Sequence, residues 1–269
     1  MADGYEITVN VSSDVGCQRT VNEDCVRSVM PHDPGLRRRR GCLVVVADGM
    51  GGHAAGEVAS RLAVDTIHHA YYGGPDSDLP TLADALHRAN QAIYEHARTN
   101  ARFSGMGTTC TALVLRGDAA ECAHVGDTRL YLVRQSRIYR MTEDHSAVRS
   151  LVARGLLSAG DAAHHADRNV ILRALGTHPT VEVTTWREPF PTRIGDCFVL
   201  SSDGLHDVVD DDEIREIVCA GDGVSACERL VGLARSRGGP DNITVAIVRI
   251  GPQTTLAPED ARTTRVVQA

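Results

Sequence analysis

The sequence predicts an α+β fold: two antiparallel β-sheets packed face to face, with helices outside. Three observations predict it. Short strand-like runs with turn residues between them recur too closely for βαβ crossovers. The run Cys42-Leu43-Val44-Val45-Val46-Ala47 is apolar without alternation, as in a strand buried on both faces. Long helical stretches interrupt the strands twice, giving the order strands, two helices, strands, helices, final strand.

The elements follow in order. Ile7–Ser12, Cys25–Val29 and Gly41–Ala47 read as strands. A first helix runs from about Gly56 to Tyr72. A second has Thr81 and Asp84 in the pattern of a capping box, and Leu82, Leu86, Ala89, Ile93 and Ala97 form its apolar stripe. Gly73-Gly74-Pro75 separates the two. Thr109–Leu115, Glu121–His124, Leu130–Val133 and Arg137–Arg140 are short strands, with Gly117-Asp118 and Gln135-Ser136 as hairpin turns. Residues 146–169 mix helix and loop. Val181–Trp186 and Cys197–Ser202 are strands again. Ser225 and Glu228 cap a helix that reaches about Arg237, and Ile243–Ile250 is the last strand. Residues 1–250 form the domain, and residues 251–269, rich in Thr, Pro and charge, are expected to be a disordered tail.

Composition excludes several classes. The chain has 269 residues, enough for a substantial core, and acids outnumber basic residues by 35 to 28, for a net charge of −7. A general nucleic-acid binder would show the opposite balance. No apolar run is long enough for a membrane span, and the opening residues lack the features of a secretory signal. The eight cysteines contain no C-x-x-C pair and lie mostly in apolar runs, which reads as small buried hydrophobes in the reducing cytoplasm. The one basic run, Arg37-Arg38-Arg39-Arg40, reads as a solvated loop, with a docking patch for an acidic partner as the weaker alternative.

The chemistry gathers on three aspartates beside the most apolar strands: Asp48 after Val44–Ala47, Asp203 after Val199–Ser202, and Asp241 before Ile243–Val248. Each alone fits an ordinary turn or strand start. Together, if the strand ends converge, they repel one another, and a divalent cation relieves that repulsion. An all-oxygen donor set suits Mg²⁺ or Mn²⁺ rather than zinc or copper. Gly49, in the turn after Asp48, has no side chain to keep its carbonyl from a metal. The turn lacks the G-K-[ST] ending of a P-loop. Two hard cations about 4 Å apart would hold a bridging hydroxide for in-line attack on a phosphoryl group. A guanidinium must then clamp the phosphate, and Arg19, upstream of Asn22-Glu23-Asp24, is best placed for it.

Seven motifs now fall in one order: Arg19-Thr20-Val21-Asn22-Glu23-Asp24; Val46-Ala47-Asp48-Gly49-Met50-Gly51-Gly52-His53; Gly105-Met106-Gly107-Thr108-Thr109; His124-Val125-Gly126-Asp127-Thr128-Arg129; Thr142-Glu143-Asp144-His145-Ser146; Ser202-Asp203-Gly204-Leu205; and Gly239-Pro240-Asp241-Asn242-Ile243-Thr244. Over about residues 5–250 the chain resembles the PPM-type (PP2C-like) metal-dependent protein serine/threonine phosphatases of bacteria. The resemblance implies a four-layer α/β/β/α sandwich and a two-metal site at one edge, loaded with Mn²⁺ or Mg²⁺. It implies Asp48 as bridging ligand, the Gly49 carbonyl on one ion, and Asp203 and Asp241 on the other. Asp24 would hold water on the ions, and Asp127 would bind a third, weaker ion. Arg19 would bind phosphate, and His53 would donate a proton to the leaving alkoxide. Residues 147–169 match a flap beside the substrate. Phosphorylated Ser/Thr proteins and a cognate Ser/Thr kinase are the implied partners, with neither nucleic acid nor a membrane span.

Plainer readings stand beside these. His53 could cap the helix that begins near Gly56. Asp127 could make a Gly-Asp turn that bonds Arg129. Gly105, Gly107, Thr108 and Thr109 read better as a tight strand start than as substrate contacts. A non-catalytic phosphoprotein-binding module would be expected to lack a metal carboxylate, and a purely structural metal protein would leave Arg19 idle.

Overall fold

The computed structural model describes residues 5–51, 55–73, 79–162 and 165–252. Its elements in chain order are β1 (Tyr5–Asp14), β2 (Asp24–Val29), α1 (Pro34–Arg40), β3 (Cys42–Met50), α2 (Ala55–Tyr72), α3 (Leu82–Thr99), β4 (Gly107–Thr108), β5 (Cys110–Arg116), β6 (Ala119–Val125), β7 (Arg129–Arg134) and β8 (Arg137–Arg140). There follow α4 (Ala147–Ala153), α5 (Ala159–Ala162), β9 (Thr184–Thr185), β10 (Phe190–Pro191), β11 (Cys197–Ser201), α6 (Asp203–His206), α7 (Asp211–Ala220), α8 (Gly223–Ser236) and β12 (Ile243–Pro252).

Alternation along each strand sorts these elements into four layers. On β3, Leu43, Val45 and Ala47 face α2 and α3 and pack with Ala59, Ile67, Leu86 and Ile93. Val44 and Val46 face the other way, onto Leu130, Leu132, Phe198, Leu200 and Val248. The second group joins two sheets, of order β1-β12-β11-β7-β8 and β10-β6-β5-β3-β2, with β4 pairing β3 and β9 pairing β6. Every pairing is antiparallel. The outer face of the first sheet carries Tyr131, Val199 and Val245 against Ile214 of α7 and Leu230 of α8. The continuous apolar run of β3 is thus a strand covered on both faces.

Local chemistry sets the boundaries. The Thr81–Asp84 capping box opens α3, with each side chain bonded to the other's backbone N–H. Gly117-Asp118 and Gln135-Ser136 are two-residue hairpin loops, closed by the pairs Arg116↔Ala119 and Arg134↔Arg137. Gln135 and Ser136 both take left-handed φ, 52° and 58°, as a type I′ turn requires.

Several expectations are corrected. Arg37–Arg40 is not a loop: it closes helix α1, which Asp33 caps by accepting from the Leu36 N–H and which Pro34 opens. Nor is the run wholly solvated. Arg40 is buried, its guanidinium 3.7 Å from the centre of the Tyr71 ring and bonded to the carbonyls of Tyr71 and Pro80. Of Val181–Trp186 only Thr184–Thr185 joins a sheet. The cap of α8 is Asp222, three residues before Ser225, whose N–H it accepts. Helices α6 and α7 are additions to the sequence reading. The 146–169 region holds α4 and α5 as expected. Gly251 and Pro252 continue β12 rather than starting a tail, and residues 253–269 lie outside the described residues.

Candidate metal centre

The predicted carboxylates come from both sheets. Asp24 opens β2 and stands directly across from Asp48 on β3. Asp203 lies two residues past the end of β11, at the first position of α6. Asp241 lies two residues before β12, the neighbour of β11. Asp127 sits in the turn from β6 to β7, where the chain passes from one sheet to the other. All five therefore meet at one end of the sandwich.

Backbone bonds fix Asp48. Its carbonyl accepts from the Thr109 N–H (2.8 Å) and the Thr108 hydroxyl (2.8 Å), and its N–H donates to Thr109 Oγ1 (3.3 Å). The Gly-Met-Gly-Thr-Thr segment is thus the tight strand start expected, and it holds the aspartate's peptide. Gly49 follows in a tight crossing. A Cβ there would lie 2.1 Å from the Gly56 carbonyl oxygen, so only glycine lets β3 cross the first turn of α2.

Two polar side chains tie the sheets together beside the carboxylates. Ser202 Oγ donates to Asp24 Oδ2 (2.7 Å) and accepts from the Thr244 N–H (2.9 Å). Asn242 donates to the carbonyls of Val15 (2.9 Å) and Val21 (3.0 Å) and accepts from the Glu23 N–H (2.8 Å). The Asn242 amide therefore anchors the loop that carries Arg19. Arg19, exposed at the rim, donates from Nη2 to Asp241 Oδ2 (2.7 Å) and lies 4.0 Å from Glu23. Burial disfavours its charge, but Asp241 more than offsets this, and its pKa is raised.

Asp241 has the Arg19 guanidinium, but the electrostatics of Asp24, Asp48 and Asp203 are those of buried acids crowded against one another. Burial, then Asp203, Asp24, Asp127 and Asp241, raise Asp48 well above the usual carboxylate range. Burial, then Asp127, Asp207 and Asp241, do the same to Asp203. Burial is also the main cause that pushes Asp24 up to about 6 and Asp127 up to about 7. One oxygen each of Asp24, Asp127 and Asp203 is buried without a hydrogen-bond partner. Such oxygens cost free energy unless a cation meets them. Among the described residues no three carboxylate, thiol or imidazole side chains stand in an arrangement that could hold a metal ion as they are placed. The acids are electrostatic neighbours, and their orphaned oxygens fit hard, oxygen-seeking ions.

Of the plainer reading of Asp127, the Gly-Asp turn is present and the bond to Arg129 is not. Arg129 gives its guanidinium to Asp144 (2.8 and 3.2 Å) and to Tyr131 (3.3 Å), not to Asp127. A pocket of about 540 Å³ opens beside Asp127, Asp203 and Asp241, walled by Val148, Arg149 and Val152 of α4 and by Arg168. His53 lies outside the described residues.

These motifs and this fold recur together in a known family, and a family model for protein phosphatase 2C matches residues 33–237. The chain belongs to the protein phosphatase 2C family. It is 39% identical over 239 residues, 88% of its length, to the serine/threonine protein phosphatase PstP of Mycobacterium tuberculosis, but it spans only 44% of that protein. It is 38% identical over 212 residues to the serine/threonine phosphatase stp of Listeria monocytogenes, covering 77% of this chain and 83% of that one. The crystal structure of the PstP catalytic domain in complex with two manganese ions superposes with a TM-score of 0.76. It is 35% identical and covers 91% of this chain and 98% of that one.

The sequence reading singles out the carboxylates that the fold brings to one end of the sandwich and misses what holds them. Ser202 and Asn242 stood in the quoted motifs without a role, because their partners lie 178 and 219 residues away. Asp207, also at the pocket, sits one helical turn after Asp203, and that i, i+4 spacing was the available signal.

Proposed function

We propose that this chain is a metal-dependent protein serine/threonine phosphatase that hydrolyses phosphoserine and phosphothreonine and opposes Ser/Thr kinases in the bacterial cytoplasm. The observation that carries the reading is the meeting of Asp24, Asp48, Asp127, Asp203 and Asp241 at one sandwich end, with buried oxygens left unpaired and an exposed arginine beside them.

The residues divide the work as follows. Asp48, the Gly49 carbonyl, Asp203 and Asp241 hold two Mn²⁺ or Mg²⁺ ions, Asp24 orients water, and Asp127 takes a further, weaker ion. When bound, the ions supply Lewis-acid stabilisation of the phosphoryl group and a water-derived nucleophile. Arg19 binds the phosphate: Asp241 takes one of its five N–H donors, which leaves donors for a phosphate oxygen. His53 supplies the proton for the departing serine or threonine oxygen. Thr108 and Thr109 fix the Asp48 peptide, and Asn242 fixes the Arg19 loop, so both arrive preorganised. The phosphatase domain extends to the end of β12 at Pro252.

The relatives named above support this reading. The test is an assay with p-nitrophenyl phosphate and a phosphothreonine peptide. Turnover requires Mn²⁺ or Mg²⁺ and stops on adding EDTA. Asp203→Asn lowers kcat by at least about a hundredfold while the circular dichroism spectrum is kept. Activity that survives EDTA, or an Asp203→Asn enzyme with normal kcat, rejects the proposal.

A further inference from the structure

Helix α1 carries a charge pattern that neither the fold nor the metal centre uses. All 28 basic residues of the chain are arginine. Many of them pair with a carboxylate, as Arg27, Arg61, Arg116, Arg129 and Arg134 do. Arg37 and Arg38 are exposed, bond no carboxylate among the described residues, and stand next to a third exposed arginine, Arg39. Arg116, already paired with Glu121, donates to the Arg39 carbonyl (3.3 Å). In a chain of net charge −7, so dense a positive patch costs repulsion.

Structural demands do not account for it. The helix is held by the Asp33 cap, by buried Arg40 on Tyr71, and by Tyr71 and Tyr72, whose hydroxyls donate to the Arg40 and Gly41 carbonyls (3.0 Å each). Basic residues in a last turn do favour the helix dipole, but the buried Arg40 already occupies that turn. The fixings leave the outer guanidiniums rigidly displayed.

We infer that Arg37 and Arg38 form a docking site for an acidic segment of the phosphoprotein substrate, remote from the residue being dephosphorylated; the inference rests on the phosphatase reading. Charge complementarity selects the occupant. The overall negative charge opposes a polyanionic nucleic acid or an anionic bilayer, whereas a short acidic segment needs only one helical turn. The large exposed apolar side chains, such as Leu156, Leu172 and Ile194, lie on other elements, so α1 has no apolar anchor for lipid. Geometry sets the spacing. Strand β3 runs from Cys42, just past α1, to Asp48, six residues away, or about 20 Å. An extended substrate covers that distance with at least about six residues between the phosphoresidue and the acidic segment.

The test uses the chain with Mn²⁺ and compares wild type with Arg37→Glu/Arg38→Glu and the milder Arg37→Gln/Arg38→Gln. Two phosphothreonine peptides differ only in six glutamates or six serines placed ten residues from the phosphothreonine. The glutamate tail is expected to lower KM about tenfold at low salt in wild type, with kcat unchanged, and the advantage disappears in both variants and at high salt. Hydrolysis of p-nitrophenyl phosphate stays normal in both variants, which shows that they fold. A fluorescent, unphosphorylated hexaglutamate peptide binds wild type and not the variants by anisotropy. A tail advantage that persists in the variants, or tighter binding of phosphatidylserine vesicles or duplex DNA than of hexaglutamate, overturns the inference. Loss of turnover on every substrate by wild type would instead reject the phosphatase reading, and the hexaglutamate measurement still decides the patch.

Discussion

At the scale of single residues, His124 shows how a buried group fixes both its own proton and the protein's response to acid. It is 1% exposed, on β6, between Thr111 Oγ1 (2.8 Å) and the Glu143 carbonyl (3.1 Å). A carbonyl only accepts, so Nε2 carries the hydrogen and Nδ1 is bare in the neutral ring. The Thr111 hydroxyl then donates to Nδ1, and Thr128, 2.7 Å away, donates to Thr111. Burial, followed by neighbouring His145, lowers His124 to about 4. The unfolded ring titrates near 6.5, so between about pH 6.5 and 4 the unfolded chain binds a proton that the folded chain refuses. Stability is therefore fully present above pH 6.5 and falls as pH drops through that window, by about 3 kcal/mol from this residue. Urea unfolding at pH 7.5 and pH 5 should show the loss, and His124→Asn should show less of it. An equal loss in both proteins would remove His124 as the cause. The sequence placed His124 on a strand but gave it no partner, because Glu143 arrives from another element.

At the scale of elements, legibility followed the local code. The capping box of α3 and the two hairpins were readable because each is written within four residues. Helix α1 was misread, although its signals were present: Asp33 as cap, Pro34 at the first turn, and Gly41 just past the end. Four consecutive arginines carry no apolar periodicity, so the helix is marked only by its end signals. Gly41 makes the reading testable. Its φ of 72° and ψ of −165° lie in a region nearly closed to other residues, and a Cβ would lie 2.2 Å from the Leu115 carbonyl oxygen. Gly41→Ala must therefore move either the end of α1 or the pairing of β3 with β5. It should cost about 2 kcal/mol or more in chemical denaturation, whereas Gly117→Ala, at a turn with open space around it, should cost less despite its φ of 59°. Equal costs would mean that the crowding at Leu115 is relieved elsewhere.

At the scale of the molecule, the candidate centre is a joint between the two sheets. Asp24 and Asp48 belong to the sheet containing β3, and Asp203 and Asp241 flank strands of the other. Ser202, bonded to Asp24, and Asn242, bonded to the Glu23 N–H, tie the sheets beside them, while the acids repel one another across the join. This placement explains why the chemistry could be named from sequence and its mechanical role could not. Motifs identify the carboxylates one by one, but only sheet order reveals that they sit on opposite layers. A cation shared by both layers then acts as a crosslink that the unfolded chain lacks, so metal affinity becomes folding stability. At a Mn²⁺ concentration a hundredfold above its Kd, the gain is about 2.7 kcal/mol. Asp241→Asn removes one acid from the sheet bearing β11 and β12, and with it both repulsion and a ligand. In EDTA the relieved repulsion is set against the lost ion pair with Arg19, a partly exposed pair worth at most about 1 kcal/mol, so the variant should melt within a few degrees of the wild type. In Mn²⁺ the wild type should rise by several degrees and the variant by little. Hydrogen exchange should report the change where β3 and β11 end, with the far hairpin of β7 and β8 unaffected. A Mn²⁺-induced shift of equal size in both proteins would mean that Asp241 holds no shared ion and that the layers are joined by packing alone.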